Sequence, residues 1–205
     1  MDNAATDWFH DAQYGIFVHY LYASQKDFAS FDAAAFAAAV HETGAKYLFM
    51  TLGQNSGWFC SPNETYENFI GAVPGTWCSR RDIPMEAAAA LAQYGIRLML
   101  YLPSQGPSAA GDGIPRALGA TERHDETNWY IKKTYAQRWS KVIREWSLRY
   151  GELVAGWWFD GFYENTGYAG ETAEYVSVLY KDACRAGNPN SIVAFNQGVM
   201  NGLIQ

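Results

Sequence analysis

The sequence predicts an α/β fold of the (β/α) TIM-type barrel class, with about the first five βα units present in its 205 residues. Short apolar runs alternate with helical segments along the whole chain. Polar and aromatic residues gather where those runs end. No glycine-rich phosphate-binding motif follows any of them.

The elements follow in chain order. Residues 14–20 (YGIFVHY) are apolar on both alternating faces, as expected of a parallel strand covered on both sides. Residues 31–43 are alanine-rich, with Asp32 placed to cap a helix and Gly44 just past its end. Residues 46–52 (KYLFMTL) form the second apolar run. Residues 82–94 repeat the helix design, with Asp82 as cap, Pro84 in the first turn and Gly95 as stop. A third strand is expected at 97–102 (RLMLYL), then the longest helix at 128–150. In that helix Trp129, Trp139, Val142, Ile143 and Trp146 recur near helical spacing, and Gly151 ends it. The fourth strand is 154–160 (VAGWWFD), the last helix 171–186 closed by Gly187, and the fifth strand 191–196 (SIVAFN). Strand–helix alternation with right-handed crossovers gives a parallel sheet. No linker or low-complexity tract interrupts residues 1–205, which are expected to form a single, partial barrel domain.

An open doubly wound sheet is the competing architecture. The absence of GxGxxG and GxxxxGK[ST] removes its usual nucleotide signal. His19 and Tyr20, Gln54 and Asn55, Tyr101 and Ser104, Asp160, and Asn196 and Gln197 end the successive runs, and sites assembled from several strand ends are the barrel pattern. A whole barrel has eight strands and roughly 250 residues, so the chain corresponds to its first five-eighths. Its outer strands would present edges that further strands or a partner chain would cover, and an oligomer is one way to do so.

The formal net charge of −6, without a basic run, argues against nucleic acid or an anionic membrane surface as partner. No apolar stretch approaches the ~20 residues of a membrane helix, and the N-terminus lacks a signal-peptide pattern, so a cytoplasmic location is the default, with secretion open if the chain is processed. Cys60, Cys78 and Cys184 show no CxxC spacing, and no pair of histidines has metal-ligand spacing. Neither a metal nor a cofactor is expected, and a Cys60–Cys78 bridge stays open. Eight Trp and fourteen Tyr leave aromatic side chains both for the core and for packing against sugar rings.

Asp160 closes an apolar strand and precedes Gly161. A carboxylate there is placed to attack an anomeric carbon, or else to cap the next loop. A retaining glycosidase needs a second carboxyl about 5 Å away, and the candidates within these residues are Glu164, nearest in sequence, then Glu171, Glu174 and Glu64, the alternative being an acid on the rest of a barrel or on a partner. His19 ends the first strand as a contact for a sugar hydroxyl or as a satisfied buried histidine. The amides of Gln54 and Asn55 either pair with hydroxyls or build a turn before Gly57. Tyr101 is either site wall or core. The sequence Arg80-Arg81-Asp82 reads as a surface cap rather than an anion site.

These residues resemble a known family. Residues 7–20 (DWFHDAQYGIFVHY) are similar to the WF.(D/E)AKFGIFIHWG opening of the glycoside hydrolase family 29 α-L-fucosidases. Residues 44–51 (GAKYLFMT) resemble their GAKY…LT strand. Residues 81–83 (RDI) with 95–101 (GIRLMLY) resemble RD(L/I)…GL(K/R)…GLY, and 158–161 match WFDG. The resemblance implies a (β/α) barrel and retaining hydrolysis of a terminal α-linked sugar, an α-L-fucoside or a relative, without a cofactor. It also implies Asp160 as nucleophile and His19 as a sugar contact. Together with the readings of the residues themselves, the expected substrate-binding set is His19, Tyr20, Gln54, Asn55, Trp58, Tyr101 and Trp158. Where the family carries KHHDGF, this chain has Gly53-Gln54-Asn55-Ser56-Gly57-Trp58, so both histidines have become amides, and Tyr20 replaces the usual Trp. The altered pocket brings in two alternatives, a carbohydrate-binding relative without hydrolytic activity and a glycosidase for a different glycan.

Overall fold

The computed structural model describes residues 4–21 and 23–198. Helix α1 (Ala4–Asp11) leads into β1 (Ile16–Val18), and α2 (Gln25–Ala29) and α3 (Ala33–Glu42) follow. Then come β2 (Tyr47–Thr51), α4 (Glu64–Phe69), α5 (Ile83–Ala92), β3 (Arg97–Pro103) and α6 (Gly113–Ala117). The chain continues through α7 (Lys133–Tyr150), β4 (Val154–Asp160), α8 (Gly170–Arg185) and β5 (Ile192–Phe195).

The strands form one five-stranded parallel sheet in the order β1-β2-β3-β4-β5. The chain therefore steps across the sheet in one direction. A doubly wound sheet reverses direction part-way, and no reversal occurs among the described residues. Each strand–helix–strand step lays its helix on the same face. That face carries Leu48 and Met50 of β2, Leu98, Leu100 and Leu102 of β3, and Trp157 and Phe159 of β4, all in one buried cluster with Val40, Ala87, Leu91, Ile143, Val176 and Tyr180 of the helices. Aromatic rings knit its centre: Phe59 meets Tyr66 and Trp146 at 5.0 Å and Trp139 at 5.7 Å.

The opposite face is aromatic and only partly covered. Phe17 stacks on Phe49 at 5.7 Å, Phe49 meets Trp158 edge-on at 5.7 Å, and Phe17 remains 41% exposed. At the sheet's lower rim, Trp8 and Phe9 of α1 pack on Tyr47, and the Arg97 guanidinium lies 4.3 Å from the Trp8 ring centre.

The expected caps form. The Asp32 and Asp82 carboxylates accept from the backbone N–H of Ala35 and Met85, and Gly44 and Gly95 take the left-handed conformation past their helices. Arg81 is a strap rather than an anion site, donating to the carbonyls of Phe28, Ala29 and Phe31 and pairing with Glu86. Two elements, the first strand and the longest helix, depart most from expectation. The first strand is shorter because Gln13 adopts a positive φ and the Tyr20 N–H turns away to donate to Thr51 Oγ1 at 2.7 Å. The longest helix begins only at Lys133. Trp129 is fixed outside it by bonds from its backbone N–H to Gln105 Oε1 (2.8 Å) and from its indole N–H to the Ser108 carbonyl (2.9 Å). Helices α1, α2, α4 and α6 were not expected, and the last three span only five or six residues each. All three cysteines are free and buried, so the open Cys60–Cys78 bridge is not formed, and burial pushes the three thiols up. No described helix is long and apolar enough to cross a membrane.

Candidate active site

Because the strands run parallel, their C-terminal ends share one rim, and the candidate polar residues meet there. Asp160 is the last residue of β4. Its carbonyl accepts from the Ser104 N–H at 2.7 Å, tying the ends of β4 and β3 together, and Gly161 turns the chain away with a φ of 72°. The half-buried carboxylate is held at both oxygens. Tyr101, on β3, donates its hydroxyl to Oδ2 at 2.8 Å, and Asn196, just past β5, donates its amide to Oδ1 at 2.7 Å. Gln54, past β2, donates to the Tyr101 hydroxyl at 3.2 Å, so a directed chain runs Gln54 to Tyr101 to Asp160.

A hollow of about 210 Å³ opens on Asp160. Asn55, Tyr101, Gln105, Asn128 and Tyr163 supply its polar wall. Burial first, then the bond to Asp160, pushes the Tyr101 phenol up, so it is a neutral donor across the ordinary pH range. Burial and the Asp160 charge likewise raise Tyr163. His19 is exposed on the same aromatic face, its ring 4.7 Å from Phe17 and 6.0 Å from Tyr101. Trp158 lies two residues before Asp160 on that face.

A profile of the alpha-L-fucosidase family matches residues 22–201. The chain belongs to the α-L-fucosidase family. No curated protein matches it. Among solved structures, the endo-fucoidan hydrolase MfFcnA4 of glycoside hydrolase family 107 has a TM-score of 0.70 at 17% identity, over 97% of this chain and 34% of that one. A bacterial fucosidase with a bound triazole inhibitor gives 0.65 at 15% identity, over 94% and 48%. A fucosyltransferase mutant of the alpha-L-fucosidase AlfC gives 0.60 at 20% identity, over 93% and 70%. At these identities the likeness concerns the fold. The chain spans 34% to 50% of the lengths of three of the endo-fucoidan hydrolases it resembles.

In this fucosidase-family chain the structure brings Asp160, Tyr101, Gln54 and Asn55 together, with His19 and Trp158 on the adjoining face. Tyr20 is placed differently. Its ring is 8% exposed and packs on Phe28 and Phe31, so most of it belongs to the helix-side core. It borders, with Gln54 and Trp58, a second hollow of about 230 Å³. Trp58 leans on Trp77 at 5.3 Å. Glu164 is exposed in the turn Glu164–Thr166 and does not line the Asp160 hollow. Glu64, Glu171 and Glu174 are also exposed, on α4 and α8. Sequence reasoning missed Tyr163, Gln105 and Asn128 as wall residues, and missed what Asn196 touches. Asn196 was visible only as a polar residue at a strand end, and the wall residues come from loops without periodicity.

Proposed function

We propose that this chain carries the nucleophile side of a retaining exo-glycosidase site, on a (β/α) barrel, that cleaves a terminal α-L-fucoside or a closely related α-glycoside. The observation that carries the reading is the two-point hold on Asp160 at the shared strand rim, beneath a hollow whose lining contains no other carboxylate. Family membership supports the substrate class.

In this reading a carboxylate oxygen of Asp160 bonds to the anomeric carbon as the glycosidic C–O bond breaks. The departing oxygen takes a proton from a general acid, and water then cleaves the glycosyl ester. Tyr101 and Asn196 limit rotation of the carboxylate so that it meets the anomeric carbon in a near-attack geometry. Gln54, Asn55 and Tyr163 are placed to pair with sugar hydroxyls, His19 to reach another from the β1 end, and Trp158 and Trp58 to pack on apolar ring faces. Glu164 is exposed and lies outside the lining of the Asp160 hollow, so this reading assigns a role to Asp160 alone among the carboxylates.

Labelling with 2-deoxy-2-fluoro-fucosyl fluoride followed by peptide mapping tests the reading. The expected result is a glycosyl label on Asp160, absent in Asp160→Asn. A label on another carboxylate, or turnover by Asp160→Asn, would overturn it. The second reading, sugar binding without hydrolysis, is favoured by the single carboxylate and the neutral amide wall of Asn55, Gln105 and Asn128. It predicts saturable sugar binding with no label from fucosyl, galactosyl or glucosyl reagents.

A further inference from the structure

Asn196 stands outside the residues that the family motifs mark, yet its side chain makes the shorter of the two bonds to Asp160. Its amide orientation is determined chemically. Oδ1 accepts from the Gly198 N–H at 3.0 Å, which leaves Nδ2 to donate to Asp160 Oδ1 at 2.7 Å. Flipped, the amide would set oxygen against a carboxylate oxygen and N–H against N–H, losing both bonds. The backbone repeats the link on either side of Asp160: the Asn196 N–H donates to the Phe159 carbonyl at 2.8 Å, and the Asn196 carbonyl accepts from the Phe162 N–H at 2.9 Å. Asn196 is therefore locked to residues 159, 160 and 162 at once.

The lock depends on a turn. Gly198 adopts a φ of +79°, which brings its N–H back to the Asn196 side chain, and a Cβ there would sit 3.0 Å from the Tyr163 ring. The same glycine thus completes the Asn196 turn and leaves room for Tyr163, a wall of the hollow. The titratable groups facing the carboxylate are the neutral phenols of Tyr101, from β3, and Tyr163, from the loop after β4, with the His19 ring beyond Tyr101.

We propose that Asn196 is a positioning residue that sets the rotation of the Asp160 carboxylate and holds it ready to react. Its effect on chemistry rests on Asp160 being the nucleophile. The hold itself does not, and the test separates the two. The rotation of the Asp160 carboxylate is read from crystal structures of the 205-residue chain, Asn196→Ala and Asn196→Asp, while labelling by the fluoro-fucosyl reagent is timed in each. Without the Asn196 donor the carboxylate should turn out of its parent orientation, and a second carboxylate at that position should push it further. Labelling of Asn196→Ala should slow at least about tenfold. Asn196→Asp keeps the side-chain shape, so it stands in if the alanine variant does not fold. A carboxylate unturned in the folded variants, or labelling of Asn196→Ala as fast as the parent, overturns the proposal. Absence of label in the parent would count against the nucleophile reading, and the carboxylate rotation would still decide whether Asn196 holds Asp160.

Discussion

At the scale of single residues, the site is a set of neutral donors turned toward one carboxylate. Tyr101 reaches Asp160 from β3 and is braced by Gln54. Tyr101→Phe keeps the ring in the aromatic face but removes the donor to Oδ2. With one fewer bond holding the carboxylate, the labelling rate should fall by about 10-fold or more. Timed labelling of the variant checks this, and a rate equal to the parent's would contradict the assigned hydrogen bond. A second buried carboxylate works in the fold alone. Glu67 is 3% exposed and accepts from the N–H groups of Gly75 and Trp77, both at 2.8 Å, and Cys78 at 3.1 Å. Glu67→Ala leaves those donors buried without an acceptor and should cost roughly 3 kcal/mol in denaturant unfolding. A loss well under 1 kcal/mol would mean the loop at 71–79 finds other partners.

At the scale of elements, helix ends and helix crossings carry the specificity. Glu145 of α7 accepts from the first N–H groups of α4, Glu64 at 2.8 Å and Thr65 at 2.7 Å, and from Arg149 at 3.1 Å. Burial raises its carboxyl, but these bonds outweigh burial and hold it below the usual range. A depressed folded pKa contributes stability above the unfolded value that is lost as pH falls through the folded one. Glu145→Gln should therefore lower Tm by a few degrees at neutral pH, and the gap to the parent should close in acid, as thermal melts across pH would show. Gly187 was expected as a helix stop, yet it lacks a positive φ. Its role is close packing between α8 and α7: a Cβ would lie 1.8 Å from the Ser147 carbonyl oxygen, and its N–H donates to Ser147 Oγ at 3.0 Å. Gly187→Ala should cost about 1–3 kcal/mol or more by forcing the two helices apart. A melt identical to the parent would contradict this contact.

At the scale of the whole molecule, the sheet has two unlike faces and two ends. Among the described residues β1 pairs only with β2, over three positions, and β5 only with β4, over four. Strands β2, β3 and β4 have neighbours on both sides and supply the helix-side core. Hydrogen exchange should therefore protect the amides of β2–β4 most and those of β1 and β5 least, since an edge strand can open without breaking a second ladder. Equal protection across all five strands would mean that a further chain covers the edges.

The local order of elements was legible from the sequence alone. Asp32 and Asp82 can cap helices wherever they fold, glycines such as Gly44 and Gly95 accept left-handed conformations that other residues resist, and the run 154–160 is apolar enough to be a buried strand in any α/β arrangement. Asp160 was legible too, because a carboxylate directly after such a run must sit at a strand end. The identity of its partners was decided only in three dimensions. Tyr101 and Asn196 lie 59 and 36 residues away in sequence, and parallel strand register alone sets them against its two oxygens. The same holds for Tyr20, which sequence placed with the sugar contacts and packing drew into the core, and for Glu164, near Asp160 in the chain but turned to solvent. Hydrogen bonds and helix caps within a few residues are determined by local backbone geometry, whereas contacts between strand ends depend on which faces the hydrophobic core forces together.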